Sequence, residues 1–316
     1  MYYPYLRGKQ FELILLRDNA EIITENKIHP IIEPVKEDFK ALDRALKIIE
    51  EKSINYTLII NPITGENPVA IINILENLIK NSDIDRFQNM SFGYILNAES
   101  NIEDLIVLLQ KYNHKNFSII HYGYPNSKII ADKINGFDNI RRHIFIDGFA
   151  GKLYQRHLKK DNIKRILIRD GFKTQRKNSL YPESEHFSDL HITYPDEGMD
   201  GFGDYLTVGD DYSETGGPAY AVAIHLTYLN EEDDMFIYHF ISDRTDSPTD
   251  PGGKFLEALN KLVDNAESEN SLIFKSESYN KFKELYEKQH YPGLGYVKKL
   301  SMQHHIELVV NFLNQA

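Results

Sequence analysis

The 316 residues include no cysteine and no tryptophan. Without cysteine there is no disulfide scaffold, no zinc–thiolate centre and no thiol catalysis, and a reducing compartment suits the chain. Long apolar runs are also missing, and none approaches the roughly eighteen residues a membrane span needs. The opening Met1-Tyr-Tyr-Pro-Tyr-Leu-Arg-Gly-Lys9 lacks the apolar core of a secretion signal. We therefore expect a soluble cytoplasmic protein with no membrane partner. Basic residues are outnumbered, and a net charge of −11 argues against non-specific nucleic-acid binding, though a local basic patch remains open. No Walker lysine loop, Gly-x-Ser-x-Gly elbow or His-Glu-x-x-His helix occurs.

The chain does hold a repeated alternation. Apolar strand-like runs at Ile28–Val35, Thr57–Asn61, Ser91–Asn97, Phe117–His121, Arg142–Asp147 and Lys164–Asp170 are each followed by a stretch with helical spacing. Such crossovers imply a parallel sheet. Two more strands, around Asp204–Val208 and Ala221–Tyr228, bring the count to eight, which favours a (β/α)8 TIM-like barrel. The last third reads as irregular. Ala221–Leu229 and Met235–Ile241 are separated only by Asn-Glu-Glu-Asp-Asp, which marks an added antiparallel hairpin or an appended sheet. Residues 171–200 read as a long polar loop, functional, partner-binding or mobile. We expect one α/β domain over 1–316. Residues 1–27 form an aromatic and helical segment, 28–230 the barrel strands and helices, and 231–316 the hairpin and C-terminal helices.

The six clearer strands end in Glu33, Asn61, Asn97, His121, Asp147 and Asp170, with Asp204 and His225 on the two later candidates. Barrel enzymes gather their chemistry at the C-terminal mouth of the strands. Glu33, Asp147, Asp170 and His225 are the candidate catalytic set. Carboxylates and imidazole could take a divalent cation, Mg²⁺ or Mn²⁺, with Asp147 and Asp170 as candidate ligands, or could act in acid–base work. Strand ends in Asp and Asn are also where turns begin. Asn61, Asn97, His121 and Asp204 are candidate ligand-binding groups on the same mouth.

Asp-Gly-Phe occurs at 147, 170 and 200, where a sharp turn with Phe re-entering the core is a sufficient explanation. Arg169, Lys173, Arg176 and Lys177 form a basic cluster able to hold a phosphate or carboxylate, or simply a solvated charge run. Gly216 and Gly217 could cradle an anion, although Pro218-Ala-Tyr leads into a strand and supplies no helix dipole. His304 and His305 are adjacent at an expected helix start, so their rings should point to different faces.

Three stretches together resemble one family. They are Tyr2-Tyr-Pro-Tyr-Leu-Arg-Gly-Lys-Gln-Phe-Glu-Leu13, Ile31-Ile-Glu-Pro-Val35 and Gly209-Asp-Asp-Tyr-Ser-Glu-Thr-Gly-Gly-Pro-Ala-Tyr220. The chain is similar through most of its length to the bacterial "beta protein" family. That resemblance implies a bacterial or mobile-element origin with neighbours in defence-type islands, and it carries over no catalytic residue. Two functions are therefore weighed. One is a recognition component of an antiphage or mobile-element locus, binding a neighbouring partner protein or a small anionic ligand at the strand mouth. The other is a metal-dependent phosphodiester hydrolase built on the strand-end carboxylates.

Overall fold

A computed structural model describes residues 1–25, 28–65, 68–80, 85–213 and 217–315. The chain divides into two compact units, Met1–Arg169 with Ile192–Asp204, and Asp170–His191 with Tyr205–Ala316.

The first unit is a TIM-like α/β barrel. Its strands are β1 (Tyr5–Leu6), β2 (Ile31–Ile32), β3 (Tyr56–Ile59), β4 (Met90–Leu96), β5 (Phe117–His121), β6 (Ile140–Ile146) and β7 (Lys164–Ile168). After β8 (Ser184–Ser188), which belongs to another sheet, β9 (Gly201–Gly203) completes the set. All seven successive pairings, from β1·β2 to β7·β9, are parallel. Helices at Lys40–Glu51, Ile102–Lys111, Ser127–Ile134 and Lys152–Arg156 supply crossovers, as parallel neighbours require. Asn101 caps the second of these, accepting from the Glu103 amide at 3.2 Å.

Closure comes from the N-terminal segment. Tyr3 N donates to Phe202 O at 2.8 Å, Phe202 N to Met1 O at 3.2 Å, and Tyr5 N to Asp204 O at 2.9 Å. These bonds join the last strand to the first, leaving no open edge at the seam. The Tyr2 hydroxyl adds a 2.8 Å bond to the Asp204 carboxylate, and burial beside that charge raises the phenol well above its ordinary pKa. The inside is packed rather than hollow. Thr57 and Ser118 lie on strands flanking β4, and their hydroxyls meet at 3.1 Å. Gly93 on β4 permits this: a Cβ there would sit 2.8 Å from Thr57 Cγ2 and 2.9 Å from Ile59 Cγ1.

Eight barrel strands are present, but two differ from those expected. Tyr5–Leu6, placed by the sequence in a segment before the barrel, is its first strand, and Gly201–Gly203 is its last in place of Asp204–Val208. Both are too short to show a period of two, and only their pairing with β2 and with β7 makes them strands. Ala223–Leu229, expected as the eighth barrel strand, lies elsewhere.

That segment, β10 (Ala223–Leu229), pairs antiparallel with β11 (Met235–Ile241), forming the expected hairpin in the second unit. β11 pairs on its other edge with β8, so residues 171–200 contribute a strand and are not all loop. Ile224, Leu226 and Phe240 pack against helices Pro251–Ala266, Glu277–Glu287 and Leu294–Gln315 through Phe255, Leu259, Phe282 and Leu300. His304 and His305 lie in the middle of the last helix, not at its start. No helix among the described residues is long and apolar enough to cross a membrane.

The seam makes a sharp prediction. A Cβ on Gly203 would overlap the Tyr3 carbonyl oxygen and crowd Ile168, whereas one on Gly217 would meet nothing within 4 Å. Gly203→Ala should therefore cost about 1–3 kcal/mol or more in urea unfolding, and Gly217→Ala close to nothing. Equal stability of the two variants would refute the closure.

Candidate functional site

At the barrel strand ends each polar group already has an internal task. Glu33 is fully buried. It accepts from the Tyr5 hydroxyl at 2.7 Å, the Ile63 amide at 2.9 Å and the Thr64 amide at 3.0 Å, with Arg7 Nε 3.9 Å away. Three donors on a carboxylate make it a clamp between β1 and the segment after β3. Asn61 continues the ladder with its side chain, donating to Ile95 O at 2.9 Å and accepting from Ile95 N at 2.8 Å. Asn97 closes a turn with the Glu99 amide and Ser100 hydroxyl. Asp204 sits at the seam, holding Tyr2.

His121 does not face the barrel interior. Ser118 and Ile120 point inward, so strand alternation turns His121 toward the helix layer. There its Nδ1 lies 2.8 Å from the Tyr154 hydroxyl and its Nε2 3.0 Å from His143 Nδ1, with Phe145 stacked at 4.9 Å. Burial, and for His121 the neighbouring ring, lowers both imidazoles, His143 to about 3. Asp147 pairs with Arg169 at 2.6 Å and accepts from the Gly148 amide at 3.0 Å, while Arg169 also lies 3.6 Å from Glu197. Asp147-Gly148-Phe149 is a turn, as Gly148 at φ +79° shows. Its Phe149 does not re-enter the core but is 49% exposed, stacked on Tyr122 at 4.3 Å. Phe172 and Phe202 in the other two copies are buried.

The remaining candidates belong to the second unit. Asp170 accepts from the Phe172 amide at 2.8 Å and the Asp210 amide at 2.7 Å, ordering the start of the glycine-rich stretch. Lys173 donates to His186 O at 3.0 Å and lies 3.5 Å from Glu185. Gly217 is exposed with open space around it, and Gly216 lies outside the described residues. Among the described residues no group of three or more His, Asp or Glu could hold a metal ion. The candidate ligands Asp147 and Asp170 are each engaged as above, one in each unit.

His225 is the exception. It stands opposite His239 in the β10·β11 register, and the two Nδ1 atoms are 2.7 Å apart. His239 Nε2 in turn lies 3.2 Å from Glu185 Oε1 on β8. Tyr181 stacks on His239 at 4.6 Å and meets His225 edge-on at 4.9 Å, and Phe172 meets His225 edge-on at 5.0 Å. Gly209, at φ +73°, brings the glycine stretch against Phe172, since a Cβ there would lie 3.3 Å from that ring. Burial is the main force lowering both imidazoles, followed at His225 by His239 and Lys298, while Glu185 acts oppositely on His239. Sequence reasoning named His225 but missed Glu185, His239, Tyr181 and Phe172. The hairpin carried a signal for His239, because equal strand lengths about the short turn set it across from His225. Glu185 carries none, since residues 171–200 show no clear strand periodicity.

His304 and His305 both converge on Thr227 rather than diverging. His304 Nε2 lies 2.8 Å from the Thr227 carbonyl and His305 Nδ1 3.0 Å from its hydroxyl. Ser276 engages the other ring nitrogen of His304 at 2.8 Å.

No protein-family model matches the chain, and no curated protein matches it either.

The buried imidazoles predict an acid-sensitive fold. His121 and His143 stay neutral when folded but protonate near pH 6.5 when unfolded. Between that value and their lowered pKa the unfolded chain binds more protons, so stability falls as pH drops, by about 1.4 kcal/mol per unit per group. Above pH 6.5 neither contributes a slope. Urea midpoints should decline from pH 7 to 5.5, and a flat profile down to the carboxylate range would contradict this account.

Proposed function

We propose that the protein is a barrel-fold recognition component of a bacterial antiphage or mobile-element defence locus, working in the cytoplasm and binding a partner protein or small anionic ligand. The family resemblance of Gly209–Tyr220 and the N-terminal segment supports the setting. The observation that carries recognition over metal hydrolysis is the engagement of Glu33, Asp147 and Asp170, each by two or more internal donors. Carboxylates so held build the fold, and among the described residues none of them joins a group of three or more groups that could hold Mg²⁺ or Mn²⁺.

An anion-binding role has its own support in the second unit. Arg176 and Lys177 are exposed and, among the described residues, have no ion-pair or hydrogen-bond partner for their side chains, and Leu180 beside them is 56% exposed. Unpaired cations in a chain of net charge −11 keep a local positive surface for an acidic group. Thermal-shift titration with inorganic phosphate and ATP should raise the Tm of the wild type, and Arg176→Ala/Lys177→Ala should weaken that response about tenfold or more. Mg²⁺ and Mn²⁺ alone should leave the Tm unchanged. Metal-dependent cleavage of bis-p-nitrophenyl phosphate, abolished by Asp147→Ala or Asp170→Ala, would replace recognition with the hydrolase.

A further inference from the structure

The imidazole pair of the second unit is arranged for more than holding a sheet together. Hydrogen positions follow from the partners. Glu185 Oε1 is an acceptor, so His239 carries its proton on Nε2 across the 3.2 Å contact. Neutral His239 then offers a lone pair at Nδ1, which receives the Nδ1 proton of His225 across 2.7 Å. That leaves the lone pair of neutral His225 on Nε2, for which no side-chain or backbone partner exists among the described residues. His121 and His304, by contrast, have partners at both ring nitrogens. His239 is 3% exposed, whereas His225 is only partly covered.

We propose that His225 is the proton-accepting residue of a general-base site, with His239 and Glu185 as its positioning residues, and that its substrate is a small carboxylic ester attacked by water. His225 Nε2 takes a proton from water, and the O–H electron pair stays on oxygen and forms the bond to the ester carbonyl carbon. When the tetrahedral adduct collapses, the C–O bond to the alkoxy group breaks. The leaving oxygen receives the proton back from His225. Acid and alcohol are the products, and no further reactant is consumed. While His225 is cationic, its Nδ1–H bond to His239 and the His239 bond to Glu185 bring a carboxylate charge to bear on it, the logic of a base oriented by a third group. The Lys173 ammonium, 3.5 Å from Glu185, holds the far end of the chain.

Geometry favours this use of the pair. His225 and His239 are direct cross-strand partners, Glu185 stands opposite Ile237, and His239 N is bonded to Glu183 O at 2.9 Å. A one-residue slip of β10 would turn His225 to the other face. Phe172 and Tyr181 wall the rings. The titratable and charged groups facing His225 are His239, Glu185 beyond it, Tyr181, and Lys298 on the helix Leu294–Gln315. Burial, then His239 and Lys298, oppose its protonation, so the free base persists below pH 6.5. This inference goes beyond recognition and stands without it.

Two measurements test it on the full chain. Brief diethyl pyrocarbonate treatment with peptide mapping should acylate His225, and its rate should hold as the pH is lowered below 6.5. A His225 rate that falls away at pH 6.5 overturns the free-base assignment, and needs no variant. With p-nitrophenyl acetate, His225→Ala should lose about a hundredfold in rate. Glu185→Gln should lose about tenfold and shift the pH profile, because the relay loses its charge but keeps its shape. Wild-type rates in His225→Ala overturn ester hydrolysis, and an unshifted profile in Glu185→Gln overturns the relay.

Discussion

The barrel depends on one seam. Backbone bonds between residues 1–5 and 202–204 convert a row of parallel strands into a closed wall. They form only because Gly201 and Gly203 carry no side chain where Tyr3 and its carbonyl pass. Closing the ring gives the eighth strand a hydrogen-bonding partner on both sides. The Tyr2–Asp204 bond at 2.8 Å lies on the same seam and adds a side-chain clasp to it.

Closure also explains the fate of the strand-end polar groups. Short strands of two to four residues cannot satisfy every backbone donor around them, as at β1, β2 and β3. Glu33 supplies the missing acceptors to Ile63 and Thr64, and Asn61 extends the ladder onto Ile95. Side chains that look like chemistry are completing a hydrogen-bond inventory. His121 and His143 serve the same end behind the wall, as a neutral pair bonded to each other and to Tyr154.

The second unit reverses that pattern. Its sheet brings Glu185, His239 and His225 into line, and the line ends at a nitrogen with no partner among the described residues. The glycine-rich stretch that draws the eye in the sequence contributes from one side, through Gly209 against Phe172 and Asp210 on Asp170. Its backbone freedom serves close approach, and the aromatic rings it supports shape the space around the imidazoles.

By itself the sequence determined the repeating strand–helix alternation, six of the eight barrel strands, the hairpin and the helices around Lys254, Tyr279 and Gln303. These are local properties, carried by apolar spacing along contiguous residues. Tertiary structure alone decided that Tyr5–Leu6 and Gly201–Gly203 are strands, because two or three residues hold no period and are defined by what they pair with. It also decided which polar groups are consumed and which remain open. Asp147, Asp170 and His225 look equivalent in one dimension. Only the donors that folding brings to each carboxylate, and the absence of a partner at His225 Nε2 among the described residues, set them apart.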